Sequence, residues 1–326
     1  MNSNRTALVL GATGGIGGAV AAALVRHGWS VRGMARNAGA ATSAARIEWV
    51  EGDAMRPEDV ARAAAGVSVI VHAVNPPNYA NWDRLVLPMI DNTIAAARIA
   101  GARVALPGTI YNYDPRATPV ISADTPQLPK SRKGAIRVAL EQRLRDAAPE
   151  VPSLIVRAGD YFGPGARSSW FSQAMVAPGK PVRRILNPAR SAGHSWAYLP
   201  DVAETFARLL DRQDRLSPFE VVQFEGLYDH DGQRMIEAIR TAAGRKAAVW
   251  RFPWFLLRLA SPFGGFAREA AEIAPYWSHP IRLDNRRLVE LLGEEPRTPL
   301  DVAMRATLAE MGSLEGDARP SGVLAA

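Results

Sequence analysis

An apolar run, Thr6-Ala7-Leu8-Val9-Leu10, leads straight into Gly11-Ala12-Thr13-Gly14-Gly15-Ile16-Gly17, and an alanine- and valine-rich stretch follows. Strand, glycine turn and helix in that order restrict the first 30 residues to one device, a backbone cradle for a dinucleotide. Gly11 lets the chain turn tightly. Gly14 lets the backbone approach a pyrophosphate, and Gly17 lets helix and strand pack closely. The free N–H groups at the helix start face the phosphates. Thr13, Gly15 and Ile16 complete the candidate cradle.

Downstream, strand and helix alternate. Strands are expected at 6–10, 29–35, 47–51, 67–73, 104–106 and 153–157. Helices are expected at 16–27, 38–45, 57–65, 82–101 and 131–148. That spacing predicts an α/β protein with a Rossmann-type, doubly wound parallel sheet and helices on both faces. After residue 160 the rhythm breaks, and a smaller mixed α/β C-terminal lobe is expected. It holds helices at 168–178, 231–243, 265–274, 285–292 and 299–311. Residues 1–160, with returning segments near 190–225, make up the cofactor domain. Residues 161–189 and 226–311 form the substrate lobe, and 312–326 a flexible tail.

Bulk properties narrow the class. The 326 residues contain no cysteine, which removes disulfides, thiolate metal sites and a cysteine nucleophile. No apolar run reaches transmembrane length, and the first strand leaves no room for a signal peptide. A cytoplasmic location is the expectation. The net charge is +7, yet Arg and Lys are spread along the chain. A basic cofactor and substrate cleft accounts for the bias better than a nucleic-acid stripe. Neither nucleic acid nor membrane is expected as a partner. With no HExxH, no metal-spaced His/Asp cluster and no serine elbow, metal and hydrolase chemistry find no footing.

Cofactor choice turns on the second strand. NAD sites place an acid about 20 residues past the turn, but here Val31-Arg32-Gly33-Met34-Ala35 ends in Arg36. A guanidinium suits a 2′-phosphate, so NADP is expected, with NAD as the other option; the alternative for Arg36 is an ordinary solvated side chain. Asp53, followed by Ala54, ends the third strand and can accept from the adenine amino group, or can cap the next turn. Ala73 ends the fourth strand, where small size permits close approach. His72 reads as a packed strand residue.

These segments, with Asn92-Thr93, Arg157-Ala158-Gly159-Asp160-Tyr161-Phe162-Gly163-Pro164-Gly165 and His194-Ser195-Trp196-Ala197-Tyr198-Leu199-Pro200-Asp201-Val202-Ala203, carry a resemblance. The chain resembles the extended short-chain dehydrogenase/reductase family, of the NAD-dependent epimerase/dehydratase type. The resemblance implies a Ser or Thr and a Tyr on the substrate oxygen, and a Lys four residues after the Tyr. That Lys lowers the phenol pKa and holds the nicotinamide ribose. It also implies a homodimer and a sugar-nucleotide substrate.

The active site departs from this pattern. Anchored on Glu141, the helix puts Arg137 at the Lys position and Lys133 at the Tyr position, and Pro107 stands where the Ser belongs. Thr109 is the nearest hydroxyl. The catalytic candidates are therefore Thr109, Tyr111, Lys133 and Arg137, with Arg137 also a cofactor contact. Lys133 and Arg137 otherwise read as basic helix residues. For substrate, the resemblance points to Tyr161, Phe162, Arg183, Ser195 and Trp196, and puts Arg157 near the nicotinamide edge. Arg183 and Arg184 suit a diphosphate or form a solvated pair. The aromatic stretch 250–263 caps an apolar substrate or fills the core, and its part 253–261 lines the cleft or a subunit contact. The expected function is an epimerase/dehydratase-like oxidoreductase acting on a sugar nucleotide or a small carbonyl compound, with its proton relay replaced. The alternative is a non-catalytic NADP-binding sensor or partner-binding protein.

Overall fold

In the computed structural model, which describes residues 5–37, 39, 46–76, 81–189, 192–263 and 265–315, a seven-stranded sheet organises the first half of the chain. Its strands are β1 (Thr6–Leu10), β2 (Ser30–Ala35), β3 (Ile47–Glu51), β4 (Val69–His72), β5 (Arg103–Gly108), β7 (Ser153–Arg157) and β11 (Phe219–Gln223). They lie in the order β3-β2-β1-β4-β5-β7-β11, and every pairing is parallel. Strand order reverses at β1, so the switch point lies between β1 and β4, where open parallel sheets take their ligands.

Strand alternation makes two core layers. Ala7, Val9, Val69 and Val71 pack with Val20 and Leu24 of α1 (Gly15–Arg26) and Phe206 and Leu209 of α5 (Leu199–Leu210). Leu8, Leu10, Ile70 and Val104 face the other way. They meet α2 (Pro57–Ala63), α3 (Trp82–Ala100) and α4 (Arg132–Ala147) through Val60, Ile90 and Leu140. Buried on both faces, such strands read as continuous apolar runs. Pro107 is tolerated within β5 because the β4 ladder ends at Ala105, so no neighbour on that side needs its missing N–H.

The second lobe is built from short pieces. A three-stranded sheet joins β8 (Asp160–Phe162), β10 (His194–Tyr198) and β12 (Leu227–Asp229). Two parallel ribbons pair β6 (Val120–Ile121) with β14 (Arg282–Leu283), and β9 (Arg184–Asn187) with β13 (Ala248–Arg251). Around them lie α6 (Gln233–Ala243), α7 (Trp254–Ala260), α8 (Gly265–Ile273), α9 (Arg286–Leu292) and α10 (Leu300–Glu310). The lobe core is aromatic, with Trp170, Phe171, Trp196, Trp254, Tyr276 and Trp277 buried together.

Three details differ from the sequence reading. The helix expected at 168–178 is a single π-helical turn over Phe171–Met175. The returning segment divides, with β10 in the small sheet and α5 and β11 in the large domain. Leu288 of α9 packs into the large-domain core. The helix expected at 38–45, apart from Gly39, and the tail beyond 315 lie outside the described residues.

Candidate functional site

The turn after β1 is made of backbone that side chains would block. Gly11 has φ +83°, and a Cβ there would lie 2.6 Å from the Ala73 carbonyl oxygen. A Cβ on Gly17 would lie 2.2 Å from the Gly11 carbonyl oxygen. Both positions are therefore restricted to glycine by contact, and Gly11 by conformation as well. The Gly14 N–H donates to the Gly11 carbonyl at 2.9 Å and closes the turn. The 12-residue helix α1 then starts at Gly15 with no side-chain cap and no acid in its first turn. Thr13, Gly14 and Gly15 are exposed, and Ile16 is half-buried. The start of α1 thus offers open amides and the positive end of a helix dipole to an anion. A Cβ on Gly15 would meet the Gly165 carbonyl at 2.6 Å, so a turn of the second lobe rests against this mouth.

The remaining cofactor candidates line the same edge of the sheet. Arg36 is exposed just past β2. Asp53 accepts from the Met55 N–H at 2.9 Å in a local turn, and its own N–H donates to Asp59. Ala54 is buried. Ala73 follows β4 and packs on the turn. Beside it His72 is buried. The Thr93 hydroxyl donates to the Met89 carbonyl and so accepts from His72 Nδ1 at 2.8 Å, which fixes the tautomer. Burial, with the Arg137 charge nearby, drives the imidazole from 6.5 down to about 3. His72 is a neutral packed residue, as the sequence suggested.

Across the switch point, the N-terminus of α4 makes a second cluster. Ser131 caps it by accepting from the Gly134 N–H at 2.9 Å. Gly134 is required because a Cβ there would lie 2.1 Å from the Tyr111 carbonyl oxygen. The close approach buries Lys133 completely, and its ammonium donates to Glu272 of α8 at 2.7 Å. The same carboxylate accepts from the Lys133 N–H at 2.9 Å. Thr109 accepts from the Tyr111 N–H at 2.9 Å and caps a short 3-10 turn. Tyr111 meets the Tyr276 ring edge-on at 5.1 Å. The Tyr276 hydroxyl donates toward the Tyr111 and Tyr113 carbonyls, and burial raises its pKa to about 12. One helical turn on, Arg137 donates to Asn75 Oδ1 at 3.2 Å and lies over Trp82 at 4.8 Å. Its charge acts on both His72 and Tyr161. Burial holds the Tyr161 phenol far above its ordinary range, so it stays protonated.

Thr109, Tyr111 and Lys133 therefore converge at the C-terminal end of β5, and Arg137 joins Tyr161 beside β4. The other substrate candidates lie apart. Phe162 and Trp196 are in the lobe core, and Ser195 is buried with its hydroxyl donating to the Ile281 carbonyl at 2.8 Å. Arg183 is exposed on the outer β9–β13 ribbon. Arg157, expected near the nicotinamide, is instead fully buried in a bidentate pair with Glu141 at 2.8 and 3.0 Å. Asn112 and Gln127 also donate to that carboxylate. Glu141 is thus the frame behind the site. Glu272, Asn75 and Tyr276 were not singled out from sequence. Glu272 lies 139 residues from its partner Lys133, and no spacing rule reaches that far. Among the described residues no group of three or more His, Asp or Glu side chains could hold a metal ion.

The glycine cradle and open helix start find their counterpart in known proteins. Residues 11–139 match the family described as NAD(P)H-binding. This part of the chain is similar to NAD(P)H-binding domains. The whole fold is shared with proteins solved in complex with NAD. MoeE5, solved with UDP-glucuronic acid and NAD, superposes with a TM-score of 0.74 at 19% identity over 94% of this chain and 98% of that one. UDP-glucose 4-epimerase from Brucella ovis, solved with NAD, gives 0.73 at 14% identity over 94% and 98%. Fold and cofactor domain together agree with the extended short-chain dehydrogenase/reductase resemblance. A curated Streptomyces protein, 3-diazoavenalumate denitrifying reductase, is 33% identical over 174 residues, 48% of this chain and 57% of the relative. The match thus spans little more than half the length of that relative. No helix among the described residues is long and apolar enough to cross a membrane.

Proposed function

We propose that the chain is an NAD(P)H-dependent reductase that delivers hydride to a small carbonyl or similarly small electrophile, with NADP(H) as its cofactor. The observation that carries this reading is the α4 corner. A buried ammonium at Lys133 and a guanidinium at Arg137 stand one turn apart where the resemblance implies phenol and lysine. The glycine turn, whose close packing on the Ala73 and Gly11 carbonyls excludes a Cβ at Gly11 or Gly17 and which leaves Thr13, Gly14 and Gly15 exposed at the helix start, fits a dinucleotide pyrophosphate. The cradle residues Gly11, Thr13, Gly14, Gly15, Ile16 and Gly17 would hold the phosphates, Arg36 a 2′-phosphate, Asp53 and Ala54 the adenine end, and Ala73 and Arg137 the nicotinamide side. A nicotinamide bound there supplies the hydride.

The side chains then divide the work. Arg137 is a fixed cation that favours negative charge developing on substrate. Lys133, held by Glu272 at 2.7 Å and next in sequence to the Gly134 that packs on the Tyr111 carbonyl, is the proposed proton source. The direction proposed is one-way reduction, in which an ammonium already in place at Lys133 gives its proton to the reduced substrate. The similarity to a protein named as a reductase supports the same direction. Placement argues for a small substrate. Arg184 is exposed and lies 5.0 Å over Trp250 on the outer ribbon, whereas the carboxylates of Asp160 and Glu272 adjoin Tyr161 and Lys133. Such a lobe offers little to a diphosphate.

The test is anaerobic single-turnover oxidation of bound NADPH across a panel of small carbonyl compounds, diazo compounds and sugar nucleotides. Oxidation with the first two groups and not the third is the expected result. Tight NADPH binding with no oxidation by any member would replace this reading with that of a cofactor-binding sensor. That outcome has its own footing in the Lys133–Glu272 pair, which occupies the group best placed for proton transfer.

A further inference from the structure

We propose that the β9–β13 ribbon and α7 form a docking face for an anionic lipid bilayer, so that this enzyme works at a membrane surface without entering it. The face lies on the second lobe and involves none of the cofactor residues. Trp250, Phe255, Leu256 and Leu259 are each more than half exposed. On α7 the buried Trp254 donates its indole N–H to the Pro188 carbonyl at 2.8 Å, and this fixes the helix so that Phe255, Leu256 and Leu259 point outward. Four large apolar side chains within ten residues make a patch of a kind that monomeric proteins seldom leave in water.

Charge decides what covers it. Residues 161–200 hold five Arg or Lys and no acid, and residues 238–268 hold six and no acid. These two segments supply the paired strands of the ribbon. Together they outnumber the +7 net charge of the whole chain. Arg167, Arg240 and Arg245 of these segments pair with Glu310, Glu237 and Glu315, so the charge of the face rests on the arginines beside the apolar patch. Arg184, Arg251 and Arg258 are exposed among the apolar side chains, and Arg184 lies 5.0 Å over the Trp250 ring. A second copy of this face would bring like charges together. An anionic headgroup layer satisfies the arginines while Trp, Phe and Leu enter the acyl boundary. A peripheral contact of this kind needs no spanning helix.

Flotation of the full chain with phosphatidylcholine vesicles, with and without phosphatidylserine, tests the proposal. Binding to the phosphatidylserine vesicles alone, weakening with added salt, is expected. Each of Arg251→Gln and Arg258→Gln should weaken that binding about fivefold, and Leu259→Ser should weaken it while leaving thermal unfolding unchanged. All three positions are exposed, so foldedness is not in question. Failure to float with either vesicle at low salt overturns the proposal. So does a dimer in light scattering that Leu259→Ser dissociates, since the face would then be a self-contact. Binding to duplex DNA that survives Leu259→Ser also overturns it, because the apolar residues would then be idle.

Discussion

The phosphate turn and the α4 corner face each other across the same sheet edge but are specified in opposite ways. The turn is backbone, and its requirement is the absence of side chains at Gly11 and Gly17, enforced by carbonyl contacts of 2.6 and 2.2 Å. The corner is side chain, and it depends on a partner in the other lobe, the Glu272 carboxylate 2.7 Å from Lys133. A dinucleotide cradle has one chemical task and little room for change. On the proposed reading the corner beside it sets the reaction and can be rebuilt while the fold and cofactor stay.

The largest test strikes the backbone side. Gly17→Val is expected to abolish measurable NADPH binding by calorimetry and to cost about 3 kcal/mol or more of stability, because the carbonyl it meets cannot move aside. Retained binding would mean that the turn is not the cradle.

The frame behind the corner comes next. Arg157→Met alone is expected to lose about 3–5 kcal/mol in urea unfolding, since it strands a buried carboxylate. Arg157→Met with Glu141→Leu should recover most of that loss. Equal losses in the single and double variants would show that the pair does more than neutralise itself.

Within the corner, Lys133→Met is expected to slow hydride transfer about 10- to 100-fold with NADPH affinity essentially unchanged. Lys133→Arg should restore part of the rate. A cofactor-affinity loss equal to the rate loss would move Lys133 from the corner to the cradle.

His72 lies between the two regions. Its imidazole is depressed from 6.5 to about 3 in the folded chain, so the unfolded chain takes up the proton first. The contribution is complete above pH 6.5 and drains as the pH falls toward 3, with about 2 kcal/mol of it lost by pH 5. Thermal unfolding against pH should therefore show a shallower acid limb in His72→Gln than in the parent. Parallel limbs would remove the argument.

The smallest effect concerns Arg36, the proposed 2′-phosphate contact on the cradle side. Arg36→Glu should shift the ratio of NADPH to NADH affinity about tenfold toward NADH. An unchanged ratio would leave Arg36 a solvated residue.

Legibility in the sequence followed the same division. The alternation of strands and helices, the glycine turn and a return to the sheet before residue 225 could be read because each rests on a short pattern: an apolar run, a turn, a helix start. Residues 11–17 carry their own explanation. The corner could be read only as a departure, with Lys133 and Arg137 in unexpected places, because Glu272 and Tyr276 reach it by tertiary packing alone. Arg157 misled for the same reason. Its position beside the site was legible, but its burial against Glu141 depends on Asn112 and Gln127, far away along the chain. Ser195 and Trp196 lie in a strand of a recognisable segment, yet β10 joins the small sheet and turns both inward. The 250–263 stretch was read as cleft or core. Trp254 is core, while Trp250, Phe255, Leu256 and Leu259 face outward.

One feature of the sheet bears on how the chain is made. Strand β11 forms the outer edge by pairing with β7, Phe219 opposite Ser153 through Gln223 opposite Arg157. On the ribosome, β7 emerges more than sixty residues earlier and must wait with one side of its ladder bare. During that interval the nascent protein is open to mispairing, and a chaperone bound to it then would protect the finished fold more than one bound at any later stage.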